Sequence, residues 1–181
     1  FFFLFNANNL DIPILTKPIT FNAIPIIIYP YLLGVLLGDG CLQGKLSFSN
    51  NEKDIVEKVR KVLAKDYIVT STKDKRNTNI ENTIKSEKIL NRNYYTQELK
   101  HLKLWGTKSS NKFIPESFLL NSENVRIELL RGLIDTDGTI CGNASYEYIT
   151  VSKQLAQDII FLCHTLGLHT TLTTKNSFYT Y

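Results

Sequence analysis

Apolar and polar positions follow two rhythms along this chain, and the rhythm changes at sharp boundaries. Tyr31–Gly40 reads YLLGVLLGDG, apolar nearly throughout, with small residues four apart at Gly34 and Gly38. Residues at i and i+4 share one helix face, so the stretch predicts a buried helix that a second helix can approach closely. Cys41–Ser49 switches to period two: its odd positions are mostly polar, while Leu42, Leu46 and Phe48 are apolar. That predicts a half-buried strand or hairpin with Gly44 near its turn. From a cap at Asn50 or Asn51 the helical rhythm returns and runs to about Ala64, with Ile55, Val56, Val59, Val62 and Leu63 as one apolar stripe. Asp66–Thr72 and Ile80–Ile84 read as strands joined by a polar loop. Tyr94–Leu104 reads as a helix with Tyr95, Leu99 and Leu102 inward, before a loop anchored by Trp105.

The same order then starts again. Leu129–Gly138, LLRGLIDTDG, has small residues four apart at Gly132 and Thr136, and its closing Asp-Gly stands 98 residues after the first. Glu123–Asp137 is the predicted helix, followed by strands near Thr139–Cys141 and Ser145–Val151. Ser152 caps a helix to about Leu166, with Leu155, Ile159, Ile160 and Leu162 apolar and Gly167 as its stop. Leu168–Lys175 alternates and reads as a strand. Both halves run helix, two strands, helix, strand, which is α+β logic with antiparallel sheets. A fixed internal offset marks duplicated architecture. The halves are expected at 31–122 and 123–181, with the second truncated, since an equal repeat would run to about residue 218.

Residues 1–30 hold four of the five prolines and read as an extended connector, with Ile24–Tyr29 its best strand candidate. Pro30 falls where a helix would begin, a favoured place for proline. The chain contains no methionine, as expected of a processed product or a piece of a longer reading frame. Its net charge is +4, which permits a polyanionic partner without demanding one. Cys41, Cys141 and Cys163 show no CxxC spacing, so a zinc site is not expected and an intracellular, reducing compartment is. The apolar FFFLF start lacks the basic flank of a secretion signal. No apolar run approaches the ~20 residues that span a membrane.

The chemistry gathers at the two Asp-Gly pairs. A helix C-terminus already carries partial negative charge, so an aspartate there is poorly placed for stability. If the two helices pack through their small faces, Asp39 and Asp137 emerge together beside two helix ends and make a cation site. Gly34, Gly38, Gly132 and Thr136 would form the helix seam, and backbone carbonyls near Gly38 and Thr136 would complete the coordination. The three histidines show no metal-ligand spacing, and Asp135 reads as a surface or supporting residue.

The two stretches resemble the nine-residue motif of the LAGLIDADG, or DOD-type, homing endonucleases of the intein-encoded kind. The copies are Leu32–Gly40 and Leu130–Gly138, and the family's metal-binding acid falls on Asp39 and Asp137. The resemblance implies two pseudo-symmetric αββαββα halves whose antiparallel sheets bind DNA, in a monomer with an internal pseudo-two-fold. It implies cleavage of double-stranded DNA with Mg²⁺, for which Mn²⁺ can substitute, and as neighbours an intein splicing domain and a host protein. Lys112, in a Lys-Phe-Ile-Pro turn between the motifs, matches a lysine thought to assist catalysis in that family. On this footing the polar row Gln43, Lys45, Ser47 and Ser49 would read DNA. Lys73, Lys75 and Arg76 would meet phosphate, and Thr171, Thr173 and Lys175 would be second-half counterparts. Some relatives of this fold bind nucleic acid without cutting, as maturases or regulators, and an inactive remnant is the third reading.

Overall fold

The structure, a computed structural model, describes residue 15 and residues 17–73, 80–87, 93–142 and 145–175. The motif helix α1 spans Pro30–Gly38, with proline in its first turn where the missing N–H costs nothing. Strands β1 (Gly40–Cys41) and β2 (Ser47–Ser49) follow, then helix α2 (Lys53–Val62). A long hairpin comes next, β3 (Tyr67–Lys73) and β4 (Ile80–Ser86). Helices α3 (Tyr94–His101) and α4 (Glu116–Leu119) lead to the second motif helix, α5 (Glu123–Asp137). Strands β5 (Gly138–Cys141) and β6 (Ser145–Tyr148) and helix α6 (Lys153–Thr165) are the last described elements. The sheets are antiparallel: one of four strands in the order β1-β2-β4-β3, and one of two, β5-β6. This is the expected α+β class. β5 and β6 begin 98 residues after β1 and β2, so the repeat offset survives into the strands.

The core forms around the α1–α5 pair. Every residue of α1 from Pro30 to Leu37 is buried, because the helix is covered on all sides. The two backbones nearly touch. A Cβ added to Gly34 would lie 2.4 Å from the Leu129 carbonyl oxygen, and one on Gly132 would lie 2.2 Å from that of Tyr31. Gly38 meets Thr136 in the same way: an added Cβ would sit 2.0 Å from the threonine Oγ1. Three glycines and one threonine therefore set how close the motif helices come. Leu129 and Leu133 of α5, Phe48 of β2, Val59 of α2 and Leu162 of α6 pack around the pair.

Several expected boundaries move. Ile24–Tyr29 forms no strand. The side chain of Asn121 takes a strand's place there, its Oδ1 accepting from Ile24 N at 3.1 Å and its Nδ2 donating to Ile24 O at 2.9 Å. α2 starts at Lys53, two to three residues after the asparagines, and the Asn50 amide oxygen accepts the Glu52 N–H instead. β6 stops at Tyr148. Gly40 and Gly138 have no positive φ, and both lead directly into strands. Glycine is needed for another reason: a Cβ at either would lie within 2.4 Å of the carbonyl oxygen of Leu36 or Ile134 in the preceding helix turn. Gly167, by contrast, has φ 77°, and Gly167 N and Leu168 N donate to the carbonyls of His164 and Cys163. That is the Schellman ending of a helix. Beyond it, Leu168–Lys175 is not a strand, and residues 171–175 are exposed.

Candidate metal centre and nucleic-acid interface

Asp39 caps the C-terminus of α1 and Asp137 is the last residue of α5. Close packing of Gly38 on Thr136 brings these ends together. Asp137 Oδ2 lies only 3.2 Å from where a Cβ on Gly38 would be. Each carboxylate has one neutral donor. Asn50 Nδ2 donates to Asp39 Oδ2 at 2.7 Å, and the Tyr148 hydroxyl to Asp137 Oδ2 at 3.4 Å. Burial pushes both carboxyls above their ordinary value. At Asp39 the Asn50 amide and the Lys112 charge oppose that rise, while the Asp137 charge adds to it. At Asp137 Lys112 and Tyr148 oppose it. Sequence reasoning overlooked Asn50 and Tyr148, although both stand eleven residues after their aspartates. The repeat offset applied to Asn50 would have found Tyr148.

Lys112 is 3% exposed, not a solvated lysine. Its Nζ donates to three carbonyls at the end of α1: Leu36 at 3.1 Å, Gly38 at 2.9 Å and Gly40 at 2.9 Å. Leu36 and Gly38 belong to the last turn of α1, whose carbonyls lack intrahelical partners, and Gly40 opens β1; the ammonium gathers all three. Burial lowers the Lys112 pKa, and the charges of Asp137 and Asp39 oppose that. Asp135 accepts from the Tyr31 hydroxyl and from Lys58 Nζ, each at 2.7 Å, tying α5 to α1 and α2.

The four-stranded sheet has a polar outer face that strand register defines. Ser49 pairs with Glu81 and Glu81 with Thr72; Ser47 pairs with Thr83 and Thr83 with Thr70; Lys85 pairs with Ile68. Directly paired residues share a face. Gln43 and Lys45 lie exposed in the loop joining β1 to β2, where Gln43 Nε2 donates to Gly106 O at 3.0 Å and Lys45 pairs with Glu81 at 2.5 Å. Two expected DNA-contacting residues, one from the row and one from the phosphate set, are placed differently. Ser47 faces outward but is 0% exposed, its hydroxyl donating to Glu81 Oε1. Lys73, expected to meet phosphate, stands four residues from buried Val69 and so shares its face, away from the outer one. Thr70, Thr72, Thr83 and Lys85 join the row instead. Lys75 and Arg76 lie outside the described residues. Thr171, Thr173 and Lys175 are exposed but off any strand, and Lys175 pairs with Glu147 at 3.2 Å.

Residues 124–181 match the family model of the LAGLIDADG-like domain. The chain carries a LAGLIDADG-like domain. The match takes in nearly all of α5, with Asp137, and all of β5, β6 and α6. The chain is also similar to the replicative DNA helicase DnaB of Mycobacterium intracellulare, 40% identical over 65 residues, or 36% of this chain. It spans 11% of that relative's length.

A metal at the junction of this LAGLIDADG-like domain with α1 would meet a spare donor set. Among the described residues no cluster of three or more His, Cys, Asp or Glu side chains gathers. Two carboxylates are what Mg²⁺ takes from a protein when water and phosphate supply the rest, so Asp39 and Asp137 fit it. The Gly38 carbonyl accepts from Lys112 Nζ with one of its two lone pairs, while the Thr136 hydroxyl turns back onto the Gly132 and Leu133 carbonyls. No helix among the described residues is long and apolar enough to cross a membrane.

Proposed function

We propose that the protein is a site-specific DNA endonuclease of the homing kind, working with Mg²⁺ and carried as the endonuclease part of an intein. The observation that carries this reading is the pair of aspartates, Asp39 and Asp137, at the abutting ends of two glycine-packed helices. The LAGLIDADG-like domain supports the family, and a match confined to 11% of a longer protein with another name supports an element inserted in a host gene.

In this reading Asp39 and Asp137 hold the metal as ionised carboxylates. When bound, the metal polarises a phosphate oxygen and lowers the pKa of an attacking water. Asn50 and Tyr148 keep each carboxylate turned into the site. The outer sheet face, with Ser49, Thr70, Thr72, Thr83 and Lys85, lies in the major groove, where alternate side chains reach base edges. Gln43 and Lys45 contact DNA from the β1–β2 loop.

The test is incubation with a random-sequence duplex library and Mg²⁺, followed by sequencing of the cut ends. Recovery of one recurrent site, lost on chelation, is expected. Selective retention of a sequence without cutting would favour the non-catalytic binder.

A further inference from the structure

The family resemblance assigns Lys112 to the chemistry, yet its surroundings leave it nothing to give a phosphate. An ammonium has three N–H donors and no acceptor. All three point at backbone carbonyls, Leu36, Gly38 and Gly40, and the side chain is buried. Two of those carbonyls belong to the residues on either side of Asp39. The Asp39 backbone is held at both of its own polar groups as well, its N–H donating to Val35 O at 3.0 Å and its carbonyl accepting from Ser49 N at 3.1 Å. The turn carrying Lys112 is fastened from behind to the second half. Ser152 Oγ, at the cap of α6, donates to Lys112 O at 2.6 Å, and Ile114 N donates to Asp158 Oδ2 of α6 at 2.8 Å.

We infer that Lys112 is a positioning residue: a buried internal cation, anchored on α6, that fixes the Asp39 turn of the first half against Asp137 of the second. It sets the spacing of the carboxylate pair and touches neither water nor phosphate. This rests on the endonuclease reading for its purpose, though not for its geometry.

Lys112→Met separates the possibilities, read in two ways on the full chain. The first is the amide resonances of residues 36–40 in metal-free protein. The second is Mg²⁺ affinity in a titration without DNA. The positioning role predicts that the resonances move and that Mg²⁺ binds about 10-fold or more weaker, the size of loss typical when a ligand's support is removed. Lys112→Arg should not restore binding, since a planar fork cannot meet three converging carbonyls. Should Lys112→Met fail to fold, Ser152→Ala and Asp158→Asn keep the ammonium, loosen its anchor, and should weaken Mg²⁺ binding in the same direction. Unchanged resonances and affinity with cleavage alone lost would overturn the inference and return Lys112 to the phosphate. If wild type itself binds no Mg²⁺, the endonuclease reading falls, and the positioning role stands or falls on the resonances.

Discussion

Asn50 and Tyr148 occupy equivalent steps of the repeat and do the same thing with different chemistry. Each donates to Oδ2 of the aspartate eleven residues before it, one through an amide and the other through a phenol. The two halves of the site are thus alike in plan and unequal in strength, since the amide contact is 2.7 Å and the phenol contact 3.4 Å. Tyr148→Phe removes only the hydroxyl, and Asn50→Leu the amide with little change in volume. Each should lower cleavage by about 10-fold or more, as for lost support of a metal ligand, with Asn50→Leu the more damaging. Equal activity of Tyr148→Phe and wild type would remove Tyr148 from the site.

The helix seam allows no side chain at Gly34. Alanine there would drive a methyl group into the Leu129 carbonyl, which is backbone and cannot swing aside. Gly34→Ala should lose roughly 1–3 kcal/mol of stability, the usual cost of overpacking. Chemical denaturation checks it, and a midpoint equal to wild type would put space where the structure has none.

The half-buried carboxylates are placed to oppose folding once ionised. A carboxyl whose pKa is raised on folding stabilises while protonated, and that contribution is lost as pH rises through the raised value. Asp39 and Asp137 are both raised, chiefly by burial, so above that range their charges oppose folding. Asp39→Asn should therefore melt higher than wild type at neutral pH, with the gain shrinking as pH falls into the carboxylate range. A lower melting temperature at neutral pH would contradict the assigned burial cost.

Strand register separates Lys73, expected from the sequence to meet phosphate, from Lys85, which the sequence pattern did not single out. Lys85 lies on the outer sheet face with Thr83, whereas Lys73 shares the face of Val69. Lys85→Ala should flatten the slope of log affinity against log salt by about 0.9, the share of one phosphate contact. Lys73→Ala should leave the slope unchanged. The reverse result would turn the sheet over on the DNA.

The motif helices were the most legible part of the chain. α5 runs from Glu123 to Asp137 as its pattern predicts, and the Gly34–Gly132 contact follows from small residues spaced to share a face. The β3–β4 hairpin was readable for the same reason, because its rhythm is local. What escaped depends on distant partners. Ile24 is satisfied by Asn121, 97 residues away, so an apolar extended stretch needs no neighbouring strand. Leu168–Lys175 has the alternation of a strand, but alternation cannot supply the edge to pair with. Lys112 was visible as a turn, while its burial and its three carbonyl partners, more than 70 residues back along the chain, were not.

The paired carboxylates are the centre of this account, and one comparison bears on them most directly. Wild type, Asp39→Asn and Asp137→Asn are each incubated with Mg²⁺ and a plasmid bearing the host sequence without the insertion, and DNA binding is measured on the same samples. Wild type should linearise the plasmid, while both variants bind it comparably and leave it uncut. Cleavage by either variant at near the wild-type rate would show that Asp39 and Asp137 do not form the cutting site.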